Sequence, residues 1–542
     1  MTIMNIKNVL LTFLLAISFS QSAVADKQQY IMQFKVGKGA EVRAHLVRAG
    51  FQIQRHFPQR HALIIRVPAK AIEALRKIPH IEILEQDHRR YLLSTQQVPY
   101  GISLVQADQV SDSNAASSKV CIIDSGYQLA HEDLSDNSVT GSSDTGSGNW
   151  YEDENGHGTH VAGTIAAFNN DKGVVGILPN GLLQLHIVKV FDAQGWAYSS
   201  SLVAALDDCL AHGADVVSMS LGGSKKSRFE RVAFSDAYAR GVLSVAAAGN
   251  DGNSRHLYPA SYNDVISVAA IDQDKNVANF SQQTNQVELS APGVNVLSTV
   301  SMGEGRSASV TINMDVYSTK AMGGSVLGES VGELVDCGLA ETPCAASGDI
   351  CLIKRGNITF ADKALACQAG GGVAAIIYNN TAGELLGTLG DVAVHIPVVG
   401  MTDLVGAEML GRLGEAETVT LKVAASNYAF FNGTSMATPH VAGVAALVWS
   451  NHPECSNEGI RQALQASAED LGEVGRDNAT GYGLVKAEAA IDHINSLGCA
   501  VERKRRFKRK WPLIGGLAQH LYSTAATRPF SLLYPRMAAA LK

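Results

Sequence analysis

The sequence predicts an α/β fold: a mostly parallel sheet flanked by helices, preceded by a small α/β module and interrupted by a β-rich insert. Three observations point to it. From about residue 119 to residue 269, apolar runs of strand length alternate with helical segments, the pattern of a parallel sheet covered on both faces. A shorter strand–helix–strand–helix–strand series precedes it, before about residue 94. Between about 302 and 422 the alternation stops and short β segments take over. More than a hundred residues of bare loop would be unusual, so that stretch reads as an inserted domain.

The elements follow in order. Tyr30–Phe34, Leu63–Val67 and Ile81–Leu84 are strand candidates. Glu41–Ala49 and Ala69–Lys77 are helix candidates, with Gly50 placed to end the first. Lys119–Ile123 is an apolar strand running into Asp124. Helices are expected over 157–168, 199–212 and 229–240, and strands over 186–190, 216–220, 242–247 and 265–269. In the interruption, Val373–Tyr378 and Ile396–Val399 are the clearest strands, and the catalytic pattern resumes at Asn427. In an open parallel sheet, functional residues belong at the carboxyl ends of strands. Asp124 and Asn250 fall just past two such ends.

Bulk properties narrow the class. At 542 residues the chain exceeds the usual size of one domain. A content of 46% apolar and 18% charged residues excludes a disordered chain. No glycine-triplet or heptad repeat supports a fibre. Val9–Phe19 is an apolar run preceded by Lys7 and followed by Ala23-Val24-Ala25, which reads as an export signal cut after Ala25. The run is short for a membrane span, so the mature protein is expected outside the cell without a transmembrane anchor. Eight cysteines suit an oxidising compartment. Cys337, Cys344, Cys351 and Cys367 cluster, and Cys455 and Cys499 bracket the last regular stretch. Cys121 and Cys209 sit in apolar or helical contexts and read as ordinary buried thiols. Spacing leaves the pairing open. Residues 503–510 carry seven Lys or Arg in eight positions, but the chain as a whole is at −7. Basicity confined to one end argues against nucleic acid as the main partner and fits an exposed terminal extension.

Three segments carry chemistry: Asp124-Ser125-Gly126, Asn155-Gly156-His157-Gly158-Thr159-His160, and Gly433-Thr434-Ser435-Met436-Ala437-Thr438-Pro439. They supply an acid, a base and a nucleophile, and Asp–His–Ser is a known chain order for hydrolytic triads. The expected reaction is acyl transfer to water with peptide as substrate. Ser435 precedes an apolar helical run, so its hydroxyl lies near a helix N-terminus. A serine hydroxyl needs an adjacent base. His160 is preferred for the tight turn around it, although His157, three residues earlier on a similar face, stays open on the residues alone. Asp124 would accept from the second imidazole nitrogen of His160. Asn250, ending Ala247-Ala248-Gly249-Asn250, would donate its amide to the developing oxyanion with the Ser435 N–H. Ser220-Leu221-Gly222-Gly223 follows a strand and could receive substrate as an added strand, and Ala247, Ala248 and Gly249 could wall a side-chain pocket. An esterase using the same groups, or an inactive binding protein, are the rival classes.

These segments, with Val120-Cys121-Ile122-Ile123 before Asp124 and Val161-Ala162-Gly163 after His160, resemble the subtilisin-family serine proteases, the subtilases. The resemblance covers about 95–300 and 425–490. It implies a secreted subtilisin-like endopeptidase with Asp124, His160 and Ser435 as triad and Asn250 in the oxyanion hole, with a broad preference for apolar or large residues before the scissile bond. It further implies a signal peptide (1–25), an inhibitory propeptide (26–94) acting as intramolecular inhibitor, and a catalytic domain in two parts (95–324 and 421–500). Processing is expected near Leu93–Thr95. Residues 325–420 resemble a protease-associated insert through Cys351-Leu352-Ile353-Lys354-Arg355-Gly356 and Ala369-Gly370-Gly371-Gly372-Val373. The basic extension (501–542) has no counterpart. A Ca²⁺ site is implied too, with side chains of Gln96, Asp133 and Asn170 and loop carbonyls of Phe168, Lys172 and Val174. Oxygen-only donors suit that ion.

Overall fold

The computed structural model describes residues 27–49, 51–68, 71–86, 96–191, 195–312, 315–390, 392–414 and 417–499. The expected signal, the processing region near Leu93–Thr95 and the basic extension lie outside the described residues. The chain divides into two compact units, within residues 1–94 and within 95–542.

The first unit is an antiparallel sheet in the order β2-β3-β1-β4, built from β1 (Lys27–Phe34), β2 (Gln52–Phe57), β3 (Ala62–Pro68) and β4 (Ile81–Gln86). Helix α1 (Gly39–Arg48) buries Val42 and Leu46, one turn apart, on a core with Met32, Leu63 and Ile65. Two expectations change. The mostly polar segment Gln52–Phe57 carries little apolar signal but forms β2 on the edge next to β3. Of the helix expected over Ala69–Lys77, the described residues form α2 (Ile72–Leu75), with Arg76 as its C-cap.

The second unit is organised by a seven-stranded, wholly parallel sheet in the order β11-β10-β9-β8-β5-β7-β6. Its strands are β5 (Lys119–Asp124), β6 (Ser138–Ser143), β7 (Gln184–Lys189), β8 (Val216–Met219), β9 (Leu243–Ala247), β10 (Val265–Ile271) and β11 (Val287–Pro292). Most of these strands are apolar on both faces, as a sheet covered on both sides requires. The chain builds outward from β5 to β6 and β7, then returns to β8 on the other side. The carboxyl end of β5 is therefore a switch point, where a crevice opens.

The helices of this unit are α3 (Tyr100–Leu104), α4 (His157–Ala166), α5 (Ser199–Ala211), α6 (Arg228–Ala239), α7 (Phe360–Ala369), α8 (Asp403–Gly411), α9 (Thr434–Asn451), α10 (Asn457–Ala466) and α11 (Ala487–Leu497). Fifteen of the eighteen residues of α9 are buried, which is why that run is apolar all round rather than striped.

Strand β12 (Val296–Thr299) leads out of this core and pairs with β22 (Tyr428–Phe431), which leads back in. Between them lie β13 (Gly305–Ile312), β14 (Asp315–Tyr317), β15 (Lys320–Ala321), β16 (Gly328–Gly332), β17 (Leu334–Asp336), β18 (Ile350–Lys354), β19 (Ala374–Tyr378), β20 (Val398–Met401) and β21 (Val419–Ser426). They form one sheet in the order β14-β13-β21-β16 and another in the order β15-β20-β19-β18-β17. Gly305 stands opposite Ser426, so the outgoing and returning chain run side by side.

Disulfides join Cys337–Cys344, Cys351–Cys367 and Cys455–Cys499. Cys121 and Cys209 are bonded too, which corrects the reading of two buried thiols. Cys121 lies on β5 and Cys209 on α5, packed against the same side of the sheet with Cα atoms 5.7 Å apart, a separation a disulfide spans without strain. Apolar context looks the same for a thiol and for a half-cystine.

Candidate active site

Asp124 ends β5 with its side chain fully buried. Gly126 then turns the chain at φ 129°, and a Cβ there would meet the Glu152 carbonyl at 2.3 Å. Only glycine allows that approach. Asp124 Oδ1 accepts from the Ser125 N–H at 2.8 Å and bonds the His157 ring at Nδ1 at 2.7 Å.

His157 is the first residue of α4, and the preceding turn is tied by Asp153, a residue to which the sequence assigned no role. Asp153 Oδ1 accepts from the Gly156 N–H at 2.9 Å and the Ser125 hydroxyl at 2.9 Å, and Oδ2 from the Thr159 N–H at 2.8 Å. The signal was an Asp just ahead of a helix start, where carboxylates satisfy free N–H groups. Gly158 lets α4 approach β5 closely, since a Cβ there would lie 2.3 Å from the Gly126 carbonyl oxygen. With a carboxylate on Nδ1, that nitrogen carries the proton and Nε2 remains an acceptor. Burial works against charge on His157, but the field and hydrogen bond of Asp124, with a further contribution from Asp153, outweigh it and raise its pKa. The ring is 27% exposed although Asp124 is 0% exposed, so it can meet a substrate.

His160 does not receive Asp124, which corrects the expected pairing. Just under one turn further on, its ring faces β12 and β22 instead. Its Nε2 contacts the Val296 carbonyl at 3.0 Å and the Ala429 carbonyl at 3.2 Å, on β12 and β22. The ring stacks on Phe431 with centroids 4.4 Å apart. Burial, helped by the field of His157, lowers its pKa to about 3. It is a neutral pin between α4 and the two strands that lead to and from the insert.

Ser435 sits in the first turn of α9. Pro439, four residues on, has no N–H, so the Ser435 carbonyl lacks its helical partner. The Ser220 hydroxyl donates to that carbonyl at 2.6 Å, and the Ser435 hydroxyl donates to the Ser220 carbonyl at 3.2 Å. This reciprocal pair sets the start of α9 against the carboxyl end of β8. Asn250 is oriented by Thr434, whose N–H and hydroxyl both donate to Asn250 Oδ1 at 2.8 Å. The amide nitrogen is thereby turned the other way. A Cβ on Gly433 would lie 3.4 Å from Asn250 Nδ2 and 3.5 Å from the Ser435 nitrogen, so two N–H donors flank one small space. Thr434 was not singled out from the sequence, because its role exists only across 184 residues of chain.

A cavity of about 520 Å³ is lined by Asp124, Asn155 and His157 together with Ser220, Leu221 and Gly222. Gly223 is already paired with Tyr258 through two backbone bonds of 2.8 and 2.9 Å, which shortens the edge expected to receive an added strand. Ala247 and Ala248 are buried and do not line this cavity.

The oxygen-rich site expected near Asp133 is compact. Gln96 Nε2 faces the Phe168 carbonyl at 2.6 Å, the Val174 carbonyl at 3.1 Å and Asn170 Oδ1 at 3.4 Å. Three acceptors exceed the two protons of one amide nitrogen. Asp133 Oδ2 accepts from the Val174 N–H at 2.9 Å, while Oδ1 is buried without a hydrogen bond among the described residues. Lys172 donates its N–H to Asn170 Oδ1 at 3.0 Å, closing the loop. This donor set, all oxygen once the Gln96 amide is turned over, fits a hard cation such as Ca²⁺.

Comparison with known proteins follows the same outline. The subtilase family matches residues 116–325 and 390–483, and the PA domain matches residues 330–409. Subtilisin DY of Bacillus licheniformis is 44% identical over 211 residues, covering 38% of this chain and 75% of its own length. Subtilisin E of Bacillus subtilis is 28% identical over 495 residues, covering 89% of this chain and 96% of its own length. The crystal structure of the psychrophilic subtilisin-like protease Apa1, from the Antarctic psychrotroph Pseudoalteromonas sp. AS-11, superposes with a TM-score of 0.65 at 43% identity, covering 75% of this chain and all of that one. Among the described residues, no helix is long and apolar enough to cross a membrane.

Proposed function

Because the chain belongs to the subtilase family and is a subtilisin-like serine endopeptidase carrying a PA domain, we propose that Asp124, His157 and Ser435 are its triad and that it cleaves protein substrates outside the cell. The observation that carries this reading is the 2.7 Å bond between His157 Nδ1 and the buried Asp124. It leaves Nε2 free to take the Ser435 proton as the hydroxyl attacks the scissile carbonyl. Asp124 steadies the imidazolium that results. The Asn250 amide and the Ser435 N–H receive the oxyanion. His157 then returns the proton to the leaving amine, and water repeats the sequence on the acyl-enzyme. The Ser435–Ser220 bond must open for attack, at the cost of one part-buried hydrogen bond, about 1 kcal/mol.

Residues 26–94 act in this reading as an inhibitory propeptide removed near residue 95, and residues 1–25 as the export signal. A broad preference for apolar or large residues before the scissile bond is carried over from the family resemblance; Ala247, Ala248 and Gly249 lie outside the cavity lining and do not support it. Gln96, Asp133, Asn170 and the Phe168, Lys172 and Val174 carbonyls would hold Ca²⁺, with the unpartnered Asp133 Oδ1 as the supporting observation. When bound, the ion supplies charge neutralisation and ties the start of the catalytic part to two loops; it enters no catalytic step.

Incubation with casein and a fluorophosphonate, followed by mass spectrometry, tests the reading. It expects a label on Ser435, a mature N-terminus near residue 95, and casein hydrolysis that Ser435→Ala abolishes, a loss on the order of the millionfold measured for subtilisin's own nucleophile. Casein cleavage surviving in Ser435→Ala would refute it. Fast turnover of short acyl esters with none of casein would favour the esterase class.

A further inference from the structure

The wall of the cavity contributed by α5 and α6 carries an acidic group that the reaction does not use. Glu230 is the third residue of α6, and Ser227-Arg228-Phe229-Glu230 has the spacing of a capping box. Half of the box forms: the Ser227 hydroxyl accepts from the Glu230 N–H at 3.3 Å. The other half does not, because the Ser227 N–H donates instead to the Tyr262 hydroxyl at 2.9 Å. Relieved of that role, the Glu230 side chain turns inward. It is 5% exposed and lines the 520 Å³ cavity together with Ser199, Leu202 and Leu221.

Its partners are hydroxyls. Tyr262 lies 2.8 Å from Oε2 and Ser199 is a further hydrogen-bond partner. Tyr262 has one proton, and the Ser227 carbonyl at 2.9 Å competes for it. Burial raises the pKa of Glu230 against the pull of those two hydroxyls. Among the described residues no Lys or Arg is paired with it. Lys225 lines the cavity too but is exposed at its rim. A buried carboxyl without a cation is costly; with Leu202 and Leu221 on the same cavity lining, the carboxyl suits a side chain with an aliphatic stem and a cationic tip.

An extended substrate lying along Ser220–Gly222 presents alternate side chains to the same face, spaced about 7 Å apart. One such side chain falls beside His157 and the next on that face, two residues further from the scissile bond, enters the part of the cavity walled by α5 and α6. We propose that Glu230 is a specificity-determining residue that selects lysine or arginine at that remote position of the substrate. The aliphatic stem packs against Leu202 and Leu221 and the charged tip meets the carboxylate. This deepens the proposed peptidase reading and rests on it.

Two measurements together test it. Fluorogenic peptides are scanned with lysine, arginine, norleucine and glutamate at the second to fifth residues before the scissile bond, on the wild type, Glu230→Gln and Lys225→Ala. Fluorophosphonate labelling of Ser435 counts competent sites in each. The wild type is expected to prefer lysine to norleucine at one position by roughly 10- to 100-fold in kcat/KM, the range of a charge-assisted hydrogen bond. Glu230→Gln keeps the shape and hydrogen-bonding capacity; it should bring that ratio near one while norleucine peptides are cleaved as before. Lys225→Ala should leave or increase the preference. The same peptide pairs are then bound to Ser435→Ala at equilibrium, so the preference is read without chemistry. No basic preference at any position, or one that survives Glu230→Gln in rate or binding, overturns the proposal. Unlabelled Ser435 and uncleaved norleucine peptides would instead overturn the triad reading, and binding to Ser435→Ala would still decide the role of Glu230.

Discussion

Replacing Asn250 separates the chemistry of the oxyanion site from its construction. Asn250 Oδ1 accepts two bonds of 2.8 Å from Thr434, which is itself 0% exposed, and its amide nitrogen faces the space beside the Ser435 N–H. Asn250→Ala removes one of two oxyanion donors, worth about 100- to 1,000-fold in kcat, or roughly 3–4 kcal/mol. It also leaves the Thr434 N–H and hydroxyl without their acceptor in a buried position, at about 1–3 kcal/mol for each group that finds no water. The variant should therefore lose both rate and thermal stability. Asn250→Asp keeps an acceptor for Thr434 but puts negative charge where an N–H stood. It should be at least as impaired in kcat as the alanine variant, with stability much nearer the wild type. KM should move little in both, since the contact strengthens only as charge develops. Turnover of one fluorogenic peptide and a melting curve for each variant suffice. If Asn250→Asp retains wild-type kcat, or if Asn250→Ala costs stability but no rate, the assignment of the amide to the oxyanion is wrong.

Chelation should accelerate heat inactivation, and Asp133→Asn should reproduce most of that effect without chelator; an unchanged inactivation rate after confirmed metal removal would contradict the calcium reading. Removing the Cys121–Cys209 bond, which closes an 88-residue separation, should cost about 2–4 kcal/mol in denaturant unfolding, with kcat nearly unaffected. His160 is held neutral in the fold with a pKa lowered to about 3, so the unfolded chain binds the extra proton. Its contribution to stability is intact above the unfolded value near 6.5 and is lost progressively as pH falls from there toward 3. A His160→Gln variant should show a shallower decline of stability across that window, read from melting temperatures between pH 7 and pH 4.

What was readable in the chain was what depends on local pattern. The strands that end at Asp124 and just before Asn250 are apolar runs bounded by turn residues, and their place at carboxyl ends follows from parallel topology. The choice between His157 and His160 was not readable in that way. Both lie on one glycine-rich turn of α4, three residues apart. What separates them is tertiary: Asp153 ties the turn so that His157 meets β5, while carbonyls of β12 and β22, 136 and 269 residues away in sequence, claim His160. Local resemblance pointed to the ring that does not meet Asp124. Cys121 and Cys209 failed for a related reason, since burial does not reveal a partner on the next layer. Thr434 and Ser220 act through contacts spanning 184 and 215 residues, and no window of sequence contains both ends. Strand β2 was missed because an edge strand of polar residues is held by its pairing with β3 rather than by an apolar face of its own.

The rate at which a fluorophosphonate reacts with Ser435, compared between His157→Ala and His160→Gln, bears most directly on the claim that His157 is the base. His157→Ala should lose about a thousandfold or more, whereas His160→Gln should stay within about tenfold of the wild type, since only packing around β12 and β22 changes. Brisk labelling of His157→Ala together with collapse in a folded His160→Gln would contradict it.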